Sequence, residues 1–466
     1  MNKQNKNKVL LIALVASLGG ALFGFDMAVI SGVLPLVQKQ FALSATQEGW
    51  FVSSALLGCI VGVAISGELS DRLGRKIPLI FTALLFISSA LGCALMPDLS
   101  GVIAFRIIGG IGIGIASSVV PLYIAEIAPA EIRGRLVTYY QFALTLGILL
   151  AYLSNAVLLD MEPVKYGIFG VSEIFNHQIW RSMLGMGLIP AIFFLLGLFI
   201  IPESPRWLIQ KGKLKEAASI IGRISGKPMT QPELLEFTSL TKGKSSSYRD
   251  LFSPALRRAL LIGILLPLFS QFSGINAIIY YGPRILGNAG ISLSSSLVSQ
   301  IIFGVANMAF TLLAIWKVDK WGRRPLYLYG TAGAAISLIG AGLCFYFGAT
   351  SSIWLLLCVL AFLASFACSI GPLKFVVASE IFPGALRGRA LAISIMVMWV
   401  ADTLVGQITP ILLKEIGSAG TFWFFAFFCV IAFLTVYKLL PETKGKSLEQ
   451  IENEWDASLK KEIFLH

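Results

Sequence analysis

Apolar residues in this chain come in runs of about twenty, divided by short polar stretches. A run of that length as a helix crosses a hydrocarbon layer roughly 30 Å thick. In lipid each backbone N–H and C=O must be satisfied within its own segment, so such runs must be helical. The pattern predicts spans at about 9–36, 47–70, 78–96, 101–127, 136–159 and 180–201, then at 257–289, 294–316, 325–347, 353–379, 390–413 and 421–440. Twelve crossings put both ends of the chain on one side.

Composition agrees with the pattern. Of 466 residues, 56% are hydrophobic and 13% charged, against about 25% charged in soluble domains. The net charge of +12 does not mark a nucleic-acid binder, because it is sorted by side. With the N-terminus inside, the inside segments and span ends hold 30 of the 37 Lys and Arg, and the outside loops and span ends five. Cytoplasmic loops collect basic residues in this way. The other two, Arg106 and Lys374, lie within spans. Six cysteines (Cys59, Cys93, Cys344, Cys358, Cys368, Cys429) sit in apolar runs without paired spacing, as small packing residues. His177 and His466 are the only histidines, which argues against a zinc site or a histidine relay. The basic N-terminus resembles a secretory leader, but its apolar run continues to Leu36 without a small-residue cleavage site and reads as an uncleaved first span.

Four segments follow: a six-helix bundle over 1–202, a polar linker over 203–256, a second six-helix bundle over 257–441, and a cytoplasmic tail over 442–466. In the linker, Lys213–Ile224 and Pro232–Leu240 mix charged and apolar residues at helical spacing, and Lys242–Ser247 reads as a joint. The outside loop 155–179 has no evident task.

The two bundles carry the same motifs at the same places. Asp71-Arg-Leu-Gly74-Arg75 after span 2 matches Asp319-Lys-Trp-Gly322-Arg323 after span 8. Glu126…Arg133-Gly-Arg135 at the end of span 4 matches Glu380…Arg387-Gly-Arg389 at the end of span 10. Pro202-Glu-Ser-Pro-Arg206 matches Pro441-Glu-Thr-Lys-Gly445. The chain is an internal repeat of two parallel halves. Carboxylates and arginine forks at the cytoplasmic mouth suit bidentate ion pairs, which between moving halves would latch one state and break in another. Topology anchoring is the plainer reading.

These motifs together resemble the sugar porter branch of the major facilitator superfamily, and in particular its bacterial pentose–proton and hexose–proton symporters. The resemblance covers nearly the whole chain. It implies an all-α membrane protein with the major facilitator fold, a cavity between two six-helix bundles, and alternating access by rocking one half against the other. It implies a transporter of the cell membrane, expected to work as a monomer, with the proton as coupling ion, no organic cofactor and no metal.

Intramembrane polar residues are the candidate chemistry. Asp26 sits in the glycine-rich first span, and Arg106 is a natural partner. Static pairing is one reading. The other is a proton switch, in which protonation of Asp26 weakens the pair and frees the bundle to reorient. The resemblance supports the switch, since proton-coupled members carry Asp and Arg at these places. By contrast, the run Gly109-Gly-Ile-Gly112-Ile-Gly114 is no phosphate loop: it is mid-span, with no strand before it. There small residues let helices approach.

Sugar binding calls for neutral donors and acceptors beside an aromatic face. Span 7 offers Gln271, Asn276 and Tyr280, and the resemblance adds Gln141, Asn307 and Trp399. Helix–helix bonding is the usual role of a single intramembrane amide; spread over four helices, the set points to a sugar site. The chain departs from the family at Ser270 for a glutamine, Phe375 for a tryptophan, Met398 for a polar amide and Asp402 for an asparagine. Lys374 and Asp402 either neutralise each other, or Lys374 faces the cavity and favours a sugar acid. The expected activity is proton-coupled import of a pentose or hexose. A passive facilitator, a polyol or sugar-acid symporter, and a non-transporting sensor are the alternatives. No covalent chemistry and no Walker lysine motif are present.

Overall fold

The computed structural model describes residues 3–129, 132–160, 178–225, 251–253, 256–349, 353–382 and 386–442. Among them, twelve helices are long and apolar enough to cross a membrane. The first runs Lys3–Phe41 and keeps Pro35 within its last turns. Several spans begin where a short polar side chain can take up a free helix N–H. Ser44 and Gln47 form a reciprocal capping box at the start of span 2, Ala45–Leu73. Asp98 accepts from the Gly101 N–H at 2.9 Å before span 4, Leu99–Ile127. Ser292 does the same for span 8, Leu293–Trp321.

Among the described residues, three spans are interrupted. Span 6 is built from Ile179–Gly185 and Leu188–Ile200. Span 7 breaks at Gly274, whose φ of +86° is open to glycine at little cost, between Arg257–Phe272 and Ile275–Asn288. Span 10 passes from Ile353–Ser365 through a π-helical turn, Phe366–Ile370, into Gly371–Ile381. Such irregular backbone within a membrane is tolerated only where protein or a cavity covers it. Spans 7 and 10 carry much of the candidate site.

Within the first half, span 1 packs on span 5 and span 2 on span 4. The glycine run does the latter. Cβ atoms built on Gly58 and Gly62 would lie 3.0 Å from the Cα atoms of Gly110 and Gly114, so two backbones touch where any side chain would part them. The halves meet along span 2 with span 11, span 5 with span 8, and span 1 with span 7. After span 6 come two short helices, Pro205–Gln210 and Leu214–Ser225, the second over the expected Lys213–Ile224. The expected helix Pro232–Leu240, the joint Lys242–Ser247, loop 161–177 and the tail from 443 lie outside the described residues.

Candidate functional site

At the cytoplasmic ends the repeat becomes two copies of one ion-pair cluster. In the first half Arg75 forks onto Glu126, with Nε to Oε2 at 2.9 Å and Nη2 to Oε1 at 2.9 Å. Glu203 receives the backbone N–H groups of Arg75 at 2.8 Å and Lys76 at 3.1 Å. In the second half Arg323 forks onto Glu380, with Nη2 to Oε1 at 2.8 Å, and Glu442 takes the N–H groups of Arg323 at 2.9 Å and Arg324 at 3.1 Å. Gly74 and Gly322, at φ +93° and +86°, make the turns; a Cβ there would meet the carboxylates of Glu203 and Glu442. Each cluster ties together ends of one half. The sequence reading placed the pairs between the moving halves, and it did not single out Glu203 or Glu442. Asp71 stands 3.8 Å from Arg75 Nη1 and is largely exposed, and Arg389 is half-buried. The side chains of Arg133, Arg135, Asp319 and Arg387 lie outside the described residues.

In the membrane's middle, the break at Gly274 turns Gln271, Asn276 and Tyr280 onto one place. Asn276 Nδ2 donates to Gln271 Oε1 at 2.8 Å and to Asp402 Oδ1 at 2.7 Å. Tyr280 donates to Asp402 Oδ2 at 3.1 Å, and its hydroxyl also lies 3.2 Å from Met27 Sδ in the other half. Lys374 Nζ donates to Ser270 Oγ at 3.0 Å. Lys374 and Asp402 are not among the ion pairs within 4.0 Å that the described residues form, so they share a cluster without a direct bridge. Trp399 packs on Phe23, ring centroids 5.3 Å apart, and its Nε1 reaches Ser117 Oγ at 3.4 Å. All of these polar groups of spans 7, 10 and 11 are buried. Gln141 and Asn307 sit half-buried on the packed spans 5 and 8, and among the described residues no hydrogen bond joins either to the cluster. The side chain of Phe375 lies outside the described residues.

Asp26 is half-buried and borders a cavity of about 20 Å³ that it shares with Ser89 and Cys93. That is room for a single water, which needs polar partners of this kind. Arg106 is buried, donates from Nε to Phe51 O at 3.0 Å, and lies over the Phe51 ring at 5.1 Å. Its Nη1 has no hydrogen-bond partner, and Asp26 and Arg106 form no ion pair within 4.0 Å among the described residues. The expected couple is therefore open in this conformation.

On the outer side the halves are bridged. Buried Glu48 of span 2 and Arg284 of span 7 form an ion pair. Ser53 donates to Gln407 Oε1 at 2.9 Å, and Gln407 Nε2 donates to Thr46 O at 3.1 Å. The pair lines a cavity of about 340 Å³ with Ser31, Gln38, Tyr280 and Asn288. The sequence reading missed it, because Glu48 and Arg284 belong to no repeated motif. Removing one partner leaves a buried charge that only hydration can relieve, so Arg284→Met is expected to favour an outward-open form. With Ser31→Cys in a background lacking the native cysteines, labelling by an impermeant thiol reagent should speed up several-fold, and Glu48→Gln should reverse the gain. Equal labelling with and without Arg284 would contradict the assignment.

A model of the family described as "Sugar (and other) transporter" matches residues 12–455. The chain belongs to the sugar transporter family. Members are transporters, not enzymes, and the chain is a multi-pass protein of the plasma membrane. It is 44% identical to the arabinose-proton symporter of Bacillus subtilis (strain 168), covering 96% of this chain and 95% of that protein. It is 39% identical to the D-xylose-proton symporter of Escherichia coli (strain K12), covering 99% of each. A solved structure of the E. coli xylose transporter XylE, in a partially occluded inward-open conformation, superposes with a TM-score of 0.82 at 38% identity, covering 94% of this chain and 99% of that one. This sugar transporter's bridged outer side is in keeping with that conformation.

Proposed function

We propose that the protein imports a monosaccharide, a pentose or hexose, together with a proton by alternating access, working as a monomer with no cofactor besides the proton. One observation carries the reading. Tyr280 lies within hydrogen-bonding distance both of Asp402, in the amide cluster of span 7, and of Met27, the neighbour of Asp26 in span 1. A sugar bound among Gln271, Asn276 and Trp399 would thus act on the helix that holds the proton site. Gln141 and Asn307 would close on it from the other pair of helices.

Asp26 is the proton acceptor in this reading. Its carboxyl borders a one-water cavity instead of a bonded arginine, so a proton has both a site and an access step. When Asp26 is neutral, Arg106 is free to hold Phe51 O; when charged, it draws Arg106 back, since a lone carboxylate at this depth is costly. The switch reading is thereby preferred over a static pair. The two repeated clusters at the cytoplasmic ends keep each half rigid while the halves rock.

Uptake of labelled D-xylose, L-arabinose and D-glucose into proteoliposomes, with and without an imposed pH gradient, tests the function. One pH unit is worth about 1.4 kcal/mol, or about tenfold accumulation for one proton per sugar. Exchange without accumulation would make the protein a facilitator, and neither would make it a sensor.

A further inference from the structure

We propose that Asp402 is a positioning residue that fixes which groups of the sugar site donate and which accept, and so selects sugars by the direction of their hydroxyl hydrogen bonds. The inference deepens the monosaccharide reading above and rests on it.

An amide side chain has one face that accepts and one that donates, and in a neutral environment either can be turned toward a neighbour. Asp402 removes that freedom. A carboxylate offers acceptors only. With Asp402 Oδ1 2.7 Å away, Asn276 must turn its NH₂ to it, because the reverse flip would set two acceptor oxygens in contact. Asn276 spends its second N–H on Gln271 Oε1 at 2.8 Å. The choice then passes on. Gln271 has its oxygen engaged and keeps both N–H groups of Nε2 for a ligand. Asn276 keeps only Oδ1. Tyr280, whose proton goes to Asp402 Oδ2 at 3.1 Å, keeps only oxygen lone pairs.

Neither Gln271 Nε2 nor Asn276 Oδ1 makes a hydrogen bond among the described residues, and neither is among the fully buried atoms that lack a partner. Both therefore border open space. The ligand meets one amide donor beside two acceptors, in a fixed arrangement. Lys374, bonded to Ser270 Oγ at 3.0 Å, places a compensating positive charge in the same cluster. Buried polar groups left without their match are costly, about 1–3 kcal/mol each, so a site of fixed direction rejects a hydroxyl that cannot take its part. The substrate implied is a neutral monosaccharide with one hydroxyl donating to Asn276 and a neighbouring one accepting from Gln271.

Deoxyfluoro sugars read this direction, since fluorine in place of hydroxyl removes the donor and retains a weak acceptor. The probe is whichever of D-xylose, L-arabinose and D-glucose the purified wild type binds most tightly, with its deoxyfluoro series, measured by calorimetry. In the wild type, fluorine at one ring position should weaken binding about tenfold or more, as loss of one hydrogen bond to a buried acceptor implies. Fluorine at an adjacent position should weaken it by less than about threefold by the same measure. In Asp402→Asn the acceptor rule is lifted, Asn276 can turn over, and the two positions should differ by less than about threefold. Lys374→Met/Asp402→Asn, which removes both charges together, serves as the second variant should the single one fail to fold, and should show the same levelling.

A variant that binds more weakly but keeps the wild-type ratio between positions would overturn the inference and leave Asp402 a structural residue. So would a wild type in which fluorine weakens binding equally at every ring position. If the wild type binds none of the three sugars, the monosaccharide reading itself fails, which is a separate result from an unchanged ratio.

Discussion

Asp26→Asn is expected to abolish uphill accumulation while leaving exchange of sugar across the membrane. Under a gradient of one pH unit, accumulation should fall from about tenfold to about one, whereas counterflow should stay within about threefold of the wild type. The asparagine keeps the size and hydrogen-bonding capacity of the protonated acid but cannot take up or release a proton. It therefore fixes the neutral state, the one that leaves Arg106 free to bond elsewhere, as it does to Phe51 O in this structure. The sugar cluster of span 7 is untouched. Accumulation by Asp26→Asn at the wild-type level would place the proton on another group, and Asp402 would be the first to examine.

The second large effect is expected at the cytoplasmic side. Arg75→Gln should lower stability by about 3–5 kcal/mol, the usual cost of stranding one member of a buried ion pair. The side chains of Arg75 and Glu126 are 5% and 4% exposed. Ser204 Oγ also donates to Glu126 at 2.5 Å, so the carboxylate has little water to fall back on. The matching pair in the second half is more open, with Arg323 and Glu380 at 13% and 27%. Solvent screens an exposed pair and reduces its worth, so Arg323→Gln should cost clearly less. Thermal unfolding of the purified variants in detergent checks the order. A greater loss from Arg323→Gln would show that exposure does not govern these clusters.

The architecture was legible because membrane helices must be apolar along their length and cytoplasmic loops must be basic; both are properties of short segments. The repeat was legible for the same reason: turns at Gly74 and Gly322, and the carboxylates that close on them, need fixed residue types at fixed spacing. What those carboxylates hold was less so. Glu203 and Glu442 stand in quoted motifs, yet only the folded chain shows them taking the N–H groups of Arg75 and Arg323. The Glu48–Arg284 pair joins residues far apart in the chain and leaves no periodic trace.

The candidate site divides in the same way. The polarity of span 7 and its glycine pointed to Gln271, Asn276 and Tyr280, the resemblance supplied Trp399 and the departure at Asp402, and Lys374 stood out as a charge within a span. Whether Lys374 and Asp402 would touch depended on the faces that spans 10 and 11 present, which the π-helical turn at Phe366–Ile370 helps to set. The fold brings them into one cluster through different partners. Likewise a charge in each of spans 1 and 4 suggested a pair, but only packing decides that Arg106 reaches Phe51 O here.

The central claim is that sugar and proton cross together. Its most direct measurement is the external pH of weakly buffered proteoliposomes when sugar is added outside, with no gradient imposed. The account predicts a rise in external pH that tracks sugar uptake in the wild type and is absent in Asp26→Asn. Sugar uptake by the wild type with no change in pH would contradict it.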